Sequence, residues 1–224
     1  MLESTRSGEE DRTDLGALAM DGFEHHSSFT KMNYILARWR AKEVAPHAWG
    51  KVLDAGCGIG TVLDYLDPSV EYVGVDLNPN HVKYLTERRP RARAYCLDIQ
   101  RELPAEEGPF DTILNLAVIE HLEDPASFLR NCHRLLKPGG KMVITTPTWF
   151  GERARDLLAR LGLVQKSVEG KKIRGHVNIF TRESIIRLLK ECGFRVIRAG
   201  YFQLRMNMLV VGVKDGTGEA GGVP

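Results

Sequence analysis

The chain has 224 residues, 43% of them apolar and 27% charged, with a formal net charge of +2. This fits one globular domain with a real hydrophobic core, excludes a disordered or collagen-like chain, and gives no electrostatic footprint for nucleic acid. Cys57, Cys96, Cys132 and Cys192 form no Cys-x-x-Cys pair, so no metal site is expected; with no apolar leader and no run of ~18 apolar residues, the reading is a cytoplasmic protein without a membrane span.

Residues 1–27 are polar and acidic and read as a mobile N-terminal segment, with His25 and His26 on its surface. A single domain follows over 28–213. "MNYILARWRAKEV" has helical spacing that puts Ile35, Leu36 and Trp39 on one face. "KVLDAG" reads as a buried strand and "TVLDYLD" as a short helix closed by Pro68. "EYVGVDL" is a second strand, followed by the helix "NPNHVKYLTERR" with Asn78 as cap and Pro79 in its first turn. "RAYCLDI" and "FDTILNLAV" are the third and fourth strands, the latter as continuously apolar as a strand buried on both faces. "DPASFLRNCHRLLKPGG" is a helix from the Asp124 cap to Gly139 and Gly140, and "KMVITTP" is the fifth strand. "TRESIIRLLKECG" is a helix with a Thr181 cap, although no Glu or Gln stands at the third position to complete a capping box. "FRVIRAGYF" and "RMNMLVVGVK" are two strands with no helix between them, hence an antiparallel hairpin, and residues 214–224 are a flexible Gly-rich tail. Strand–helix alternation of this kind predicts an α/β fold: a doubly wound, Rossmann-like, seven-stranded sheet, mostly parallel, with ligands at the strands' carboxyl ends.

The first strand runs directly into "VLDAGCGIG". A triphosphate loop needs Gly-Lys-Ser or Gly-Lys-Thr after its glycines, and none is present. The dinucleotide fingerprint is G-x-G-x-x-G, whereas Gly56, Gly58 and Gly60 give G-x-G-x-G. Asp76, about 20 residues on, suits the ribose hydroxyls of any adenosine ligand and so does not discriminate.

The company of the loop does. "VLDAGCGIG", "VGVDLNP", "YCLDIQ", "FDTILNLAVIEHLEDP" and "LLKPGGKMVITTP" occur in this order, each at a strand's carboxyl end. Together they resemble the class I S-adenosylmethionine-dependent methyltransferases, in the small-molecule branch that includes quinone-biosynthesis enzymes. The resemblance covers residues 50–147 and, more loosely, 176–213. It implies S-adenosylmethionine as cofactor and S-adenosylhomocysteine as product, with a small-molecule acceptor and in-line methyl transfer. In its pattern Asp54 suits the ligand's ammonium group, and Gly56, Cys57, Gly58 and Gly60 bring backbone against the methionine part and ribose. Asp76 takes the ribose hydroxyls, Leu77 packs on the adenine, and Asp98 with the Ile99 backbone reads the adenine edge. Asn115, Leu116 and Ala117 surround the methionine moiety. Asp54 also fits a turn, Asp98 also fits an N-cap, and Leu77 also fits the core.

For a hydroxyl acceptor a base is needed, and histidine suits neutral pH. His121, in "VIEHLEDP", and His176, in "GHVNIFT", are the candidates; each equally fits a loop-bonding role. Glu120 reads as a loop-orienting residue. Residues 148–175 form an insertion rich in Arg and Lys, including Lys171, Lys172 and Arg174, with Leu157, Leu158 and Leu161 on an apolar face. It reads either as a lid over an acidic or partly apolar acceptor or as a solvated helix and loop. "NLAVIEHL" lacks the Asn/Asp-Pro-Pro-aromatic segment of nucleic-acid amino-methyltransferases, and "RRPRAR" reads as a helix end, so no nucleic-acid partner is expected. The alternatives are a nicotinamide-dependent Rossmann oxidoreductase and a non-catalytic S-adenosylmethionine-binding module.

Overall fold

Adjacent residues on a strand face opposite ways, so a strand covered on both sides needs apolar side chains at successive positions. β1 (Lys51–Ala55) meets that demand: Val52 and Leu53 are fully buried and belong to two different hydrophobic clusters. The computed structural model, which describes residues 31–160 and 178–216, builds the molecule around this strand. β2 (Glu71–Asp76), β3 (Arg93–Cys96), β4 (Phe110–Leu116), β5 (Leu136–Pro147), β6 (Phe194–Phe202) and β7 (Asn207–Lys214) complete the sheet. Its order is β3-β2-β1-β4-β5-β7-β6. All pairings among β1 to β5 are parallel, and β7 lies antiparallel between β5 and β6. This is the doubly wound, seven-stranded sheet with a C-terminal hairpin that the sequence predicts.

Helices cover both faces: α1 (Lys31–Val44), α2 (Pro79–Arg88), α3 (Pro125–Leu135), α4 (Trp149–Arg160) and α5 (Arg182–Glu191). Phe128 and Leu129 of α3 and Ile185 and Leu189 of α5 pack with Leu53, Ile113 and Ile144. On the opposite face Ala41 and Val44 of α1 and Leu85 of α2 pack with Val52, Leu114 and Val143. The winding reverses between β1 and β4, so the crevice at their carboxyl ends is the switch point where such sheets bind ligands.

Four local expectations are revised. On α1 the buried positions are Tyr34, Ala41 and Val44, while Ile35 and Trp39 face outward; the helix carries two apolar arcs, and the one with small Ala41 packs against the sheet. "TVLDYLD" holds only a 3-10 turn, Thr61–Asp64, because a left-handed Gly60 and Pro68 leave no length for an α-helix. α3 stops at Leu135, since Leu136 pairs with Phe110 and opens β5 before a register shift. The α5 start is a full capping box: Ser184 N–H donates to Thr181 Oγ1 (3.1 Å) and Thr181 N–H donates to Ser184 Oγ (2.9 Å). A serine thus replaces the Glu or Gln that the pattern asks for. The predicted N-terminal segment 1–27, the tail from 217 onward and residues 161–175 of the predicted insertion lie outside the described residues.

α4 is anchored by Thr148, whose N–H donates to the Met206 carbonyl (2.9 Å) and whose Oγ1 accepts from Gly151 N–H (3.0 Å). The approach is so close that a Cβ on Gly151 would lie 2.0 Å from Met206 O. Glycine-to-alanine changes inside a helix ordinarily stabilise by ~1 kcal/mol. Here Gly151→Ala has the opposite sign, costing ~1–3 kcal/mol through overpacking, measurable by urea unfolding.

Candidate cofactor and acceptor site

After Ala55 the chain must leave the sheet without filling the crevice. Gly56 does this at φ 92°, where a Cβ would stand 2.4 Å from Val118 Cγ2 of the loop after β4. Gly56 and Cys57 N–H both donate to the Val75 carbonyl (2.8 and 2.9 Å), which fastens the loop to β2. Gly58 is also left-handed, at φ 54°, and a Cβ there would meet nothing within 4 Å. One glycine therefore permits contact between loops, and the other faces open space. Cys57 is buried and its thiol pKa is pushed up by burial and by Asp54, so it is no nucleophile.

Two carboxylates flank this loop. Asp54 is buried, accepts from Tyr72 OH at Oδ2 (2.7 Å), and its Oδ1 has no hydrogen-bond partner among the described residues. Burial pushes its pKa up to about 7, against the Tyr72 hydrogen bond, and the charge of Asp76 adds to the rise. Asp76 ends β2 and is held at both oxygens: Gly58 N–H donates to Oδ2 (2.8 Å), and Asn78 N–H (2.8 Å) and His81 Nδ1 (3.1 Å) meet Oδ1. Partial burial raises its pKa, but the bonds from His81, Asn78 and Gly58 outweigh burial and hold it below the ordinary aspartate value.

Leu77 beside Asp76 is 70% exposed, an apolar side chain outside the core. Asp98 caps the turn that follows it, accepting from Gln100 N–H at Oδ1 (3.0 Å), while Oδ2 lies 3.5 Å from Arg101 Nε. Ile99 is buried in the core cluster. At the end of β4, Asn115 Nδ2 donates to the Ala55 carbonyl (2.9 Å), joining the two strands that bound the crevice, and its Oδ1 has no partner among the described residues. Leu116 is half-buried. Ala117 adopts a left-handed φ of 59° with its N–H on the Thr145 carbonyl (2.9 Å), a strained turn of the kind that clusters at functional sites.

His121 lies on the 3-10 turn Ile119–His121 directly after this strained residue. Glu120 is buried and accepts from Thr146 Oγ1 (3.2 Å), in keeping with a loop-orienting role. Asn178 clamps the same turn, its N–H on the Glu120 carbonyl (3.0 Å) and its Nδ2 on the Leu122 carbonyl (2.7 Å). His176, the other candidate base, lies outside the described residues. Four contributors escape the sequence reading: His81, Thr146, Asn178 and Arg40. Arg40 of α1 is half-buried, with a buried Nε that has no partner among the described residues; burial lowers its pKa while Glu120 raises it. Spacing could have exposed only His81, which stands three residues after the Asn78 cap and so turns back toward Asp76. Among the described residues no group of three or more His, Cys, Asp and Glu could hold a metal ion, and no helix is long and apolar enough to cross a membrane.

A buried carboxylate oxygen without a partner, a glycine facing open space and an outward leucine are what a ligand with a cationic group and a ribose-linked aromatic base requires. Residues 27–199 match the family described as a methyltransferase domain. The chain is 32% identical over 148 residues to a probable S-adenosylmethionine-dependent methyltransferase of Mycolicibacterium smegmatis, covering 62% of this chain and 56% of that protein. It is 35% identical over 138 residues to a ubiquinone biosynthesis O-methyltransferase of Pseudomonas aeruginosa, covering 58% and 59%. The chain thus spans less than three-fifths of the length of these curated relatives. A TehB-like S-adenosylmethionine-dependent methyltransferase of Corynebacterium glutamicum shares the fold at a TM-score of 0.57 and 22% identity, over 79% of this chain and 87% of that one. A glycopeptide N-methyltransferase solved with sinefungin does so at 0.60 and 18%, over 80% and 87%. The chain belongs to the methyltransferase-domain family.

Because the folded pKa of Asp54, about 7, lies above the ordinary aspartate value, folding favours its neutral form. The stability it contributes is complete below about pH 4 and is lost as pH rises through about 7. Asp54→Asn cannot ionise and still accepts from Tyr72. Urea unfolding of the ligand-free proteins should show the variant gaining on the wild type between about pH 4 and pH 7, with the difference constant above that.

Proposed function

We propose that this chain methylates a small-molecule acceptor by in-line transfer at the crevice between β1 and β4. The observation that carries the reading is the meeting there of the unpartnered Asp54 Oδ1, the open side of Gly58 and the restrained carboxylate of Asp76. Bound S-adenosylmethionine supplies a methyl carbon activated by its sulfonium, so the protein's part is alignment, exclusion of water and, for a protic acceptor, removal of a proton. Asp54 receives the ammonium group, Asp76 the ribose hydroxyls and Leu77 one face of the adenine. Asp98 and the Ile99 backbone meet the adenine edge; Asn115, Leu116 and the turned Ala117 line the methionine part beside the Gly56, Cys57, Gly58 and Gly60 backbone.

His121 is the base that takes the acceptor's proton, with His176 as the second candidate. Glu120, Thr146 and Asn178 hold the His121 turn in place. The 35% identity to ubiquinone biosynthesis O-methyltransferases supports an acceptor of small-molecule size.

Calorimetric titration with S-adenosylmethionine tests the cofactor half. Asp76→Ala should weaken binding by ~1.5–3 kcal/mol through loss of charge-assisted hydrogen bonds, whereas unchanged affinity in a folded variant would show that this carboxylate does not hold the ribose. Binding of NAD in place of S-adenosylmethionine would overturn the whole reading. For the base, S-adenosylhomocysteine release on a panel of phenolic acceptors, at saturating cofactor, should fall ~10²–10⁴-fold in His121→Ala. Normal turnover in that variant would leave positioning alone to account for the rate.

A further inference from the structure

A second concavity lies at the carboxyl end of β5, between the start of α4 and the turn joining β6 to β7. It is a groove of about 450 Å³, within the size range of small-molecule sites. Trp149 and Phe150 of α4 form one wall, Tyr201 and Leu204 the other, and Ile179 and Met208 complete it. Except for Met208 these side chains are all largely exposed, with Leu204 at 80%. So much adjoining apolar surface on a folded chain marks a binding site.

The walls are held, not incidental. Thr148 Oγ1 donates to the Arg205 carbonyl (2.7 Å) while accepting from Gly151 N–H, which joins the α4 start to the turn. Three consecutive non-glycine residues of the turn, Gln203, Leu204 and Arg205, have φ of 51°, 54° and 67°. Such backbone persists only where the surroundings fix it. Here Gln203 is fixed: buried, it donates from Nε2 to the Leu36 carbonyl of α1 (2.7 Å) and accepts from Asn207 Nδ2 (2.5 Å). The strained residues next to it thrust Leu204 and Arg205 outward along the groove.

Charge completes the pattern. Arg205 stacks on Tyr201 at 4.9 Å and Arg153 on Trp149 at 4.5 Å. Arg182 at the start of α5 donates through Nε to the Ala199 carbonyl (3.2 Å). Among the described residues none of these three forms an ion pair with a carboxylate. Stacking occupies the face of a guanidinium and leaves its edge N–H groups to bind an oxyanion. Apolar walls with arginine edges at the rim complement an amphipathic anion. Thr148 stands two residues from Thr146, which bonds the Glu120 beside His121, so the groove adjoins the turn that carries the candidate base.

We propose that this groove is the acceptor subsite and takes a soluble amphipathic anion, an aromatic or aliphatic body bearing a carboxylate or like oxyanion, with Arg182 and Arg205 around the charged end. Its role as acceptor subsite rests on the methyl-transfer reading; its ligand chemistry does not.

Two probes of nearly identical body separate apolar from anionic recognition: 8-anilino-1-naphthalenesulfonate and neutral N-phenyl-1-naphthylamine, titrated by fluorescence against the full chain. The sulfonate should bind one site about tenfold more tightly than the neutral probe, in proportion to a charge-assisted contact. Arg182→Gln with Arg205→Gln should abolish that preference and leave the neutral probe's affinity unchanged. Arg205→Lys alone should retain most of the preference, and Ile179→Ser with Leu204→Ser should weaken both probes. Equal affinity of the two probes, binding at many sites, or a preference that survives the double arginine variant would overturn the proposal. So would arginine-dependent sedimentation with phosphatidylglycerol vesicles in the absence of any preference for the soluble anion, which would assign the patch to a lipid surface. Calorimetry with S-adenosylmethionine on the same variants should be unchanged. Loss of cofactor binding in the wild type with the probe preference intact would sink the methyl-transfer reading and spare the groove's ligand chemistry.

Discussion

The contact between Gly56 and Val118 governs the geometry of the whole carboxyl edge. The two residues leave adjacent parallel strands, and no Cβ fits between them. That approach lets the glycine loop lie flat on the Val75 carbonyl, which in turn carries Gly58 N–H to the Asp76 side chain. It also sets the path of the chain after β4, through the left-handed Ala117 to the turn with Glu120 and His121. A bulkier residue at position 56 would push apart the two loops whose separation defines the crevice.

Within that crevice two aspartates of the same intrinsic acidity are driven in opposite directions. Asp54 has a single hydroxyl donor and little water, and its carboxyl is held toward the neutral form. Asp76 collects two backbone N–H groups and a histidine and stays ionised. Divergent environments around paired titratable groups are how one site obtains two chemical characters at one pH. A cationic ligand group reaching Asp54 would draw its proton off, since an adjacent positive charge favours the carboxylate.

Legibility in the sequence followed interaction range. The continuous apolar runs of β1 and β4 and the caps at Asn78, Asp124 and Thr181 are local, and the sheet and its helices could be read from them. The glycine loop and Asp76 were legible because a short loop brings them together. α1 was misread in orientation because both its arcs are apolar, and only the sheet surface chooses between Ala41 and Trp39. Arg40, Thr146 and Asn178 were invisible for the same reason: they meet the Glu120 turn from three elements distant in the chain. Ser184 completing the cap shows a motif satisfied by a hydroxyl where the pattern specified a longer acceptor.

The Gln203 side chain crosses from the last hairpin to the Leu36 carbonyl of the first described helix. α1 also reaches the glycine-loop side of the molecule, where Arg38 Nε donates to Tyr65 OH (2.5 Å) beyond the Thr61–Asp64 turn. One helix thus mechanically couples the hairpin that walls the groove to the segment that follows the glycine loop. A chimera that took its hairpin from one parent and its leading helix from another would keep each half intact and lose the strut between them. α1 and the last hairpin are therefore a single inheritable part, although most of the sequence separates them.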